Sequence, residues 1–374
     1  MGTFCFYTTV NFNTSLQTGG TKRFKELLYG LLNKGHEVHL YIPSPDGLDL
    51  KDNLSIHIIK VGKLRIIPKG VQNFFLNYKN LKSSQLLSYD YFIIFSVPYA
   101  IQGVLLNLKN IIFLAREDFL LSRKIEMDGK HTNKILKSYL IRVYKYLELI
   151  VLRKSRISIV QSSLDKETLI KRHYGKIDCN KIKVLHNNVN PSWMGLPIPE
   201  KDIKKEFDRL KLIFVGNIND NKKGLHILLD AVSNLLKERI PISLTVIGSG
   251  KLLNQYQSLY KNENIHFLGK FDQPLSIITN HNLMVVPSLT DSFPNTILEA
   301  FHCDIPVIGS KVGGIPEILS YEDLLFEPKT EILEEKLRDI FFQQKLNKLQ
   351  ELARNRKRLL TFDWVDKFIN KISN

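Results

Sequence analysis

An α/β protein of two similar domains with a cleft between them is predicted by three features of the chain. Strand-like and helix-like segments alternate from end to end, which is the pattern of parallel sheets with helical crossovers. The 374 residues are enough for two domains, each with a real core. Near the middle, residues 187–210 lapse into Asn-Asn-Val-Asn-Pro-Ser-Trp-Met-Gly-Leu-Pro-Ile-Pro and a charged stretch, which reads as a linker. The boundaries that follow are 1–189, 190–361 and a terminal helix over 362–374 that packs back toward the first domain.

Taken in order, residues 3–8 form a strand, 20–33 a helix and 36–42 the next strand, because short apolar runs rich in aromatic and β-branched residues flank an amphipathic segment. Further strands are expected at 55–61, 91–95, 110–114, 157–161 and 181–185. After the linker come strands at 211–215, 243–247, 265–268, 283–286 and 306–308, with helices such as 224–238 and 295–302 between them. Residues 91–108 carry no charge over 18 positions, the lower edge of a membrane span. Pro98, Gln102, Gly103 and Asn107 interrupt that stretch, so it reads instead as a buried strand turning into a short helix. The two halves show no sequence repeat.

Composition excludes several classes. With 44% hydrophobic, 24% charged and 10% aromatic residues, the chain is neither a disordered tail nor a low-complexity fibre. Cys5, Cys179 and Cys303 are too few and scattered for a disulfide framework or thiolate metal site, which favours a reducing, cytoplasmic setting. The opening apolar run is too short for a signal peptide, and Phe6 stands where a myristoylation motif needs Ser or Thr. The net charge of +16 suggests an anionic partner. Residues 1–190 hold 29 basic and 14 acidic side chains, a net +15, whereas 191–374 hold 24 and 23, a net +1.

Three sites stand at the ends of strands in the second half. Lys222-Lys223-Gly224 opens a helix after a strand and a polar loop, where a lysine beside unpaired helix N–H groups is placed to hold a phosphate; the plainer reading is two exposed lysines in an ordinary loop. Gly248-Ser249-Gly250 ends the next strand, but Leu253 stands where a dinucleotide fingerprint needs a third glycine, so alone it reads as a tight turn. The strongest constellation has Asp291 in a loop, Pro294 to Thr296 beginning a helix, and Glu299 about one turn inside it. The helix N–H groups around Asn295, Thr296 and Ile297 favour an anion or sugar hydroxyls, and carboxylates suit hydroxyl pairs: a ribose diol for Glu299, a hexose for Asp291. The alternative is a loop cap at Asp291 and a surface helix residue at Glu299.

These residues, Asp291-x7-Glu299 with Pro294-Asn-Thr-Ile-Leu-Glu-Ala, Pro306-Val-Ile and Val312-Gly-Gly-Ile-Pro-Glu, resemble the donor-site signature of the family 4 retaining glycosyltransferases. The likeness runs through Lys223-Gly224, Leu244-Thr-Val-Ile-Gly-Ser-Gly and Phe267-Leu-Gly in the second half. In the first half it includes Gly19-Gly20-Thr-Lys-Arg and Gly35-His-Glu-Val-His, then Lys183-Val-Leu-His-Asn-Asn-Val and, near the end, Phe362-Asp-Trp. The resemblance implies the GT-B fold: two facing Rossmann-like domains with an interdomain cleft, the acceptor site in the first and the nucleotide-sugar site in the second. It implies that Lys223 holds the donor diphosphate, Glu299 the ribose, and Asp291 with adjoining backbone the transferred sugar, with Gly248 nearby and Gly19 and Gly20 on the acceptor side.

Four positions depart from the family pattern. Asp291 replaces the usual Glu, Asn217 the Arg commonly paired with the phosphate lysine, and Asp304 a usual Gly. Asn217 stays a donor-binding candidate at that position, and Lys222 is then the candidate for the missing cation. Where many relatives have a first-domain His, this chain reads Ala115-Arg116-Glu117-Asp118, and none of its ten histidines lies between 58 and 130. Arg116, Glu117 or Asp118 must take that place: Arg116 for a phosphate or acceptor, Asp118 for a sugar hydroxyl and Glu117 on the acceptor side, with Asp291, Arg116 and Asp118 the catalytic candidates, against the alternative of an interdomain ion pair or loop cap.

In the front-face mechanism proposed for similar enzymes, the leaving phosphate accepts the acceptor's proton with retention at the anomeric carbon, so no His base is demanded. No Asp-x-Asp occurs anywhere, which argues against an obligatory metal, and no cofactor beyond the substrate UDP- or GDP-sugar is expected. Basic residues at 130, 134, 137, 142, 145 and 153, and a mixed basic-aromatic segment over 64–82, suit either an anionic membrane surface or an ordinary solvated face.

The expected activity is transfer of a sugar to a glycan acceptor, a lipid-linked saccharide of bacterial surface polysaccharide, by a cytoplasmic enzyme peripheral to the membrane. A sugar-nucleotide epimerase of similar fold, a catalytically silent sugar-binding relative and a basic polyanion-binding protein are the alternatives. Nucleic acid is not an expected partner, since no zinc finger, RNP sequence or Arg-rich arm is present.

Overall fold

The computed structural model describes residues 1–9, 12, 19–62, 69–83, 88–95, 97–128, 133–190, 207–271 and 274–373. Residues 191–206 of the expected linker, 64–68 of the basic-aromatic segment and Lys130 lie outside these. The chain divides into two compact units, Met1–His186 with Trp364–Asn374, and Asn187–Asp363.

The first unit is built on a seven-stranded sheet: β1 (Thr3–Tyr7), β2 (Glu37–Ile42), β3 (Leu54–Ile58), β4 (Tyr91–Phe95), β5 (Ile111–Ala115), β6 (Ile157–Val160) and β7 (Ile182–Val184). Every pairing is parallel and the order is β3-β2-β1-β4-β5-β6-β7. Phe4 aligns with Val38 on one side and Tyr91 on the other, which puts β1 inside the sheet, paired on both edges. Strands covered on both faces must be apolar on both, and Phe4, Cys5, Phe6 and Tyr7 are all buried. The uncharged stretch over 91–108 resolves into β4 and the helix Val97–Leu105. Among the described residues no helix is long and apolar enough to cross a membrane. The last helix, Trp364–Ser373, belongs to this unit; Val365 sits so close to Gly30 of the Gly19–Asn33 helix that a Cβ there would lie 2.4 Å from it.

The second unit carries β8 (Leu210–Val215), β9 (Ile242–Ile247), β10 (Ile265–Gly269), β11 (Leu283–Val286), β12 (Val307–Ser310) and β13 (Leu325–Phe326), all parallel, in the order β10-β9-β8-β11-β12-β13. In both sheets the chain runs outward on one side of the first strand and then crosses to the other. Loops leaving the two strands at that reversal diverge, which opens a crevice at their carboxyl ends where doubly wound sheets bind ligands. The reversal falls at β1/β4 in the first unit and β8/β11 in the second.

Asp304, a departure noted in the sequence, has a local explanation. It follows the helix Asn295–His302 in the left-handed region at φ +59°, where Gly is the ordinary residue. Its buried carboxylate accepts from Arg354 at 2.8 and 2.5 Å and from Gln350 at 3.0 Å. Asp304→Gly relaxes the backbone but removes the carboxylate that accepts from Arg354 and Gln350. Denaturant titration of the full chain is expected to show a loss of about 1–3 kcal/mol; an unchanged midpoint would show that the polar cluster contributes nothing.

Candidate active site

At the carboxyl ends of β8, β9 and β11 the second unit gathers most of the residues singled out in its sequence. β8 runs through Gly216 into a loop and a single 3-10 turn, Asn221–Lys223, whose first N–H groups are capped by Asp220 (3.0 Å to Lys222 N). Gly224 closes the turn at φ +64° and starts the helix Leu225–Lys237. A Cβ on Gly224 would stand 1.8 Å from the Pro287 carbonyl oxygen, and the Leu289 N–H donates to the Lys222 carbonyl at 2.8 Å. The lysine turn is therefore fixed against the loop that leaves β11.

That contact brings Lys223 to Asp291, and the two form an ion pair with the Asp291 side chain largely buried. Lys222 lies in the same turn with its Nζ 3.9 Å from Asp220. Asp291 is held by its backbone as well. Its carbonyl accepts from Gly314 N at 3.0 Å, and Gly313, at φ +55°, packs so closely that a Cβ would be 1.7 Å from that oxygen. Sequence reading assigned no role to this glycine pair, although its motif was visible there.

The helix Asn295–His302 starts after Pro294 with no side chain capping it, so its leading N–H groups and the positive end of its dipole face the crevice. Asn295 accepts from Asn187 Nδ2 at 3.1 Å, which steadies the helix start; Thr296 is half-buried and Ile297 wholly buried. One turn in, Glu299 is only 5% exposed, which removes the reading of a surface helix residue.

Two donor-site candidates have structural tasks. The Asn217 side chain accepts from Asn219 N at 2.8 Å and shapes the β8 loop. Gly248 donates its N–H to the Gly269 carbonyl at 2.7 Å, and a Cβ on it would lie 1.9 Å from Gly216 O. Its service to the site is to let the β9 loop lie against the β8 loop.

In the first unit, Asp118 and Glu117 do not join Arg116. Asp118 caps the helix Phe119–Asp128 (3.1 Å to Leu121 N), and both its oxygens accept from Arg172 at 2.7 and 2.6 Å. Arg172 also donates to both oxygens of buried Glu148 at 3.0 Å, and His173 Nε2 lies 2.8 Å from the same carboxylate. This network takes up the carboxylate assigned above to a sugar hydroxyl. Glu117 accepts from the Ser122 hydroxyl on the same helix. Arg116 instead lies over the Phe95 ring, 5.6 Å from its centre, and against Gly20 near the start of the Gly19–Asn33 helix. Among the described residues no group of three His, Cys, Asp or Glu side chains is placed to hold a metal ion.

A doubly wound unit whose switch-point crevice joins a lysine turn, two carboxylates and an uncapped helix start has the donors and acceptors to hold an anion and hydroxyl groups. Residues 209–341 match the family model described as Glycosyl transferases group 1. The whole chain has the GT-B fold: WaaG, a glycosyltransferase involved in lipopolysaccharide biosynthesis, superposes with a TM-score of 0.73 over 100% of this chain and 99% of its own, at 15% identity. An uncharacterized glycosyltransferase of Methanocaldococcus jannaschii is 26% identical over 315 residues, 80% of this chain and 78% of that one. The Escherichia coli UDP-Gal:α-D-GlcNAc-diphosphoundecaprenol α-1,3-galactosyltransferase is 30% identical over 183 residues, 46% of this chain and 47% of its own.

Proposed function

We propose that the protein is a retaining, family 4-type glycosyltransferase that moves a hexose from a UDP- or GDP-sugar to a lipid-linked saccharide in surface polysaccharide synthesis. The observation that carries this reading is the convergence of Lys223, Asp291, Glu299 and the uncapped 295–302 helix at one switch-point crevice. Departure of the diphosphate builds negative charge while the sugar becomes oxocarbenium-like; preorganised cations and helix N–H groups at the leaving group supply most of the stabilisation. In this reading Lys223, with Lys222 beside it, takes the diphosphate, Glu299 the ribose hydroxyls and Asp291 the sugar. No metal or cofactor is assigned a role. The Escherichia coli relative, whose donor is UDP-Gal and whose acceptor is a diphosphoundecaprenol-linked sugar, supports the substrate classes.

A thermal-shift screen of UDP- and GDP-sugars tests the donor assignment, since a ligand bound to the native state at 100 times its Kd adds about 2.7 kcal/mol. A family of nucleotides that all leave Tm unmoved would overturn it. The Lys223–Asp291 pair adds a second expectation. Asp291 competes with the diphosphate for the lysine, so Asp291→Asn should bind the bare nucleoside diphosphate about fivefold more tightly, the equivalent of ~1 kcal/mol for a partly exposed pair, while losing turnover. Weaker diphosphate binding in that variant would contradict the competition.

Peripheral membrane association, at the cytoplasmic face, belongs to the same proposal. The helix Lys134–Lys154 leaves Ile135, Leu136, Tyr139 and Tyr146 exposed among Lys134, Arg142 and Lys145, a combination suited to an anionic lipid surface. The full chain should sediment with vesicles containing anionic lipid and not with neutral ones; equal binding to both would count against it.

A further inference from the structure

We infer that Tyr256 is a positioning residue for the donor diphosphate: its hydroxyl, acting through Asn221, fixes the turn that carries Lys222 and Lys223. The donor diphosphate rests on the proposed glycosyltransferase reading; the hold on the turn rests on geometry.

Tyr256 lies on the helix Leu253–Leu259, which follows β9, and its ring is buried in the apolar core of the second unit. Phenylalanine would fill the same space. What the hydroxyl adds is one directed hydrogen bond, 2.9 Å to Asn221 Oδ1, on the first residue of the Asn221–Lys223 turn. Burial, and then the charge of Asp230, raise the hydroxyl's pKa above the ordinary tyrosine value, so it stays a donor through the neutral range. The bond extends a seam between the β8 and β9 loops. In that seam Ile218 N donates to Ser249 O at 3.0 Å, Leu252 N to Ile218 O at 3.0 Å and Lys251 N to Asn219 Oδ1 at 3.2 Å.

Sheet order gives this bond its consequence. β8 lies between β9 and β11, and the turn at its carboxyl end is held from both flanks: Lys222 by the Leu289 N–H from the β11 loop, Asn221 by Tyr256 from the β9 side. Lys223 comes next, so its backbone is placed by these two bonds and by Gly224, pressed against the Pro287 carbonyl. A 3-10 turn of three residues has few hydrogen bonds of its own with which to hold a side chain in place. Without the hydroxyl the turn is fixed on the β11 side alone, and a cation that must meet a diphosphate in one geometry loses part of its preorganisation. Tyr260, one helical turn further on, provides a comparison. Its hydroxyl donates at 2.6 Å to Asp230 of the Leu225–Lys237 helix, so it joins helix to helix and not helix to turn.

The test titrates UDP and GDP by calorimetry into the full chain as wild type, Tyr256→Phe, Asn221→Ala, the double variant of these two, and Tyr260→Phe. For the nucleotide that the wild type binds, Kd is expected to rise about fivefold in Tyr256→Phe and in Asn221→Ala, and no further in the double variant, because each removes the same bond. Tyr260→Phe should stay within about twofold of the wild type. Stoichiometry separates positioning from folding, since a smaller folded fraction lowers the number of sites and leaves Kd alone. Hydrogen exchange is followed at the Gly224 N–H, which closes the turn on the Asn221 carbonyl at 2.9 Å. It should be about fivefold faster in the three variants that lack the bond and unchanged in Tyr260→Phe. Wild-type Kd or wild-type exchange in Tyr256→Phe, an equal loss in Tyr260→Phe, or a double variant that adds the two losses overturns the positioning role. A wild type that binds neither nucleotide sinks the donor reading and the role with it, while the exchange comparison still decides whether the hydroxyl holds the turn.

Discussion

Lys223→Ala is expected to lower kcat/KM for nucleotide-sugar turnover by about 10²–10³-fold with the fold intact, the size of effect seen when one preorganised charge-stabilising group is removed. Two consequences act together. The leaving diphosphate loses a cation that the 3-10 turn and the Leu289–Lys222 hydrogen bond hold in place, so no reorganisation replaces it. Asp291 also loses its ion-pair partner and stands as a bare carboxylate beside an incoming dianion. Lys223→Arg keeps the charge and should recover part of the loss; Lys222→Ala, with its ammonium 3.9 Å from Asp220, should cost less. Steady-state kinetics on the three variants checks the order. Equal losses at positions 222 and 223 would mean that the turn acts as diffuse charge and not through one placed lysine.

Gly313→Ala is expected to destabilise the second unit by about 2–4 kcal/mol and to abolish donor binding. Its φ of +55° costs any Cβ-bearing residue something, but most of the penalty is steric: the new methyl would lie 1.7 Å from the Asp291 carbonyl oxygen. Backbone cannot swing aside as the end of a side chain does, so the loop must move, breaking the 3.0 Å Gly314–Asp291 hydrogen bond and withdrawing Asp291 from Lys223. Gly269→Ala is the control. It shares a positive φ, +68°, but meets nothing within 4 Å, so its cost should stay near ~1 kcal/mol with donor binding kept. Similar behaviour of the two variants in chemical denaturation would show that conformation and not contact governs the site.

The architecture was legible because parallel strands buried on both faces are written as short unbroken apolar runs. Phe4-Cys-Phe-Tyr and Leu283-Met-Val-Val announce themselves, and the observed strands fall within a few residues of their expected places. β13, two residues long, is too short to leave a periodic signal. The crevice at β8 and β11 was legible for a related reason: its residues sit in loops directly after strands, so their order along the sequence reports their place at one sheet edge. Pairings between distant segments were not legible. Nothing local announces that Asp118 meets Arg172, 54 residues away, or that Asp304 needs Arg354, because such contacts depend on how helices pack after the sheet is built. The same holds for Gly313, whose motif was visible but whose constraint comes from the carbonyl of Asp291, far back along the chain.

Whether the β8/β11 crevice binds and activates a nucleotide sugar through Lys223 and Glu299 is decided by measuring transfer and hydrolysis with a panel of UDP- and GDP-sugars. The proteins compared are the wild type, Lys223→Ala and Glu299→Ala. The wild type should turn over at least one donor with retention at the anomeric carbon, and each substitution should reduce turnover of that donor at least about a hundredfold. Wild-type rates in both variants would contradict the assignment.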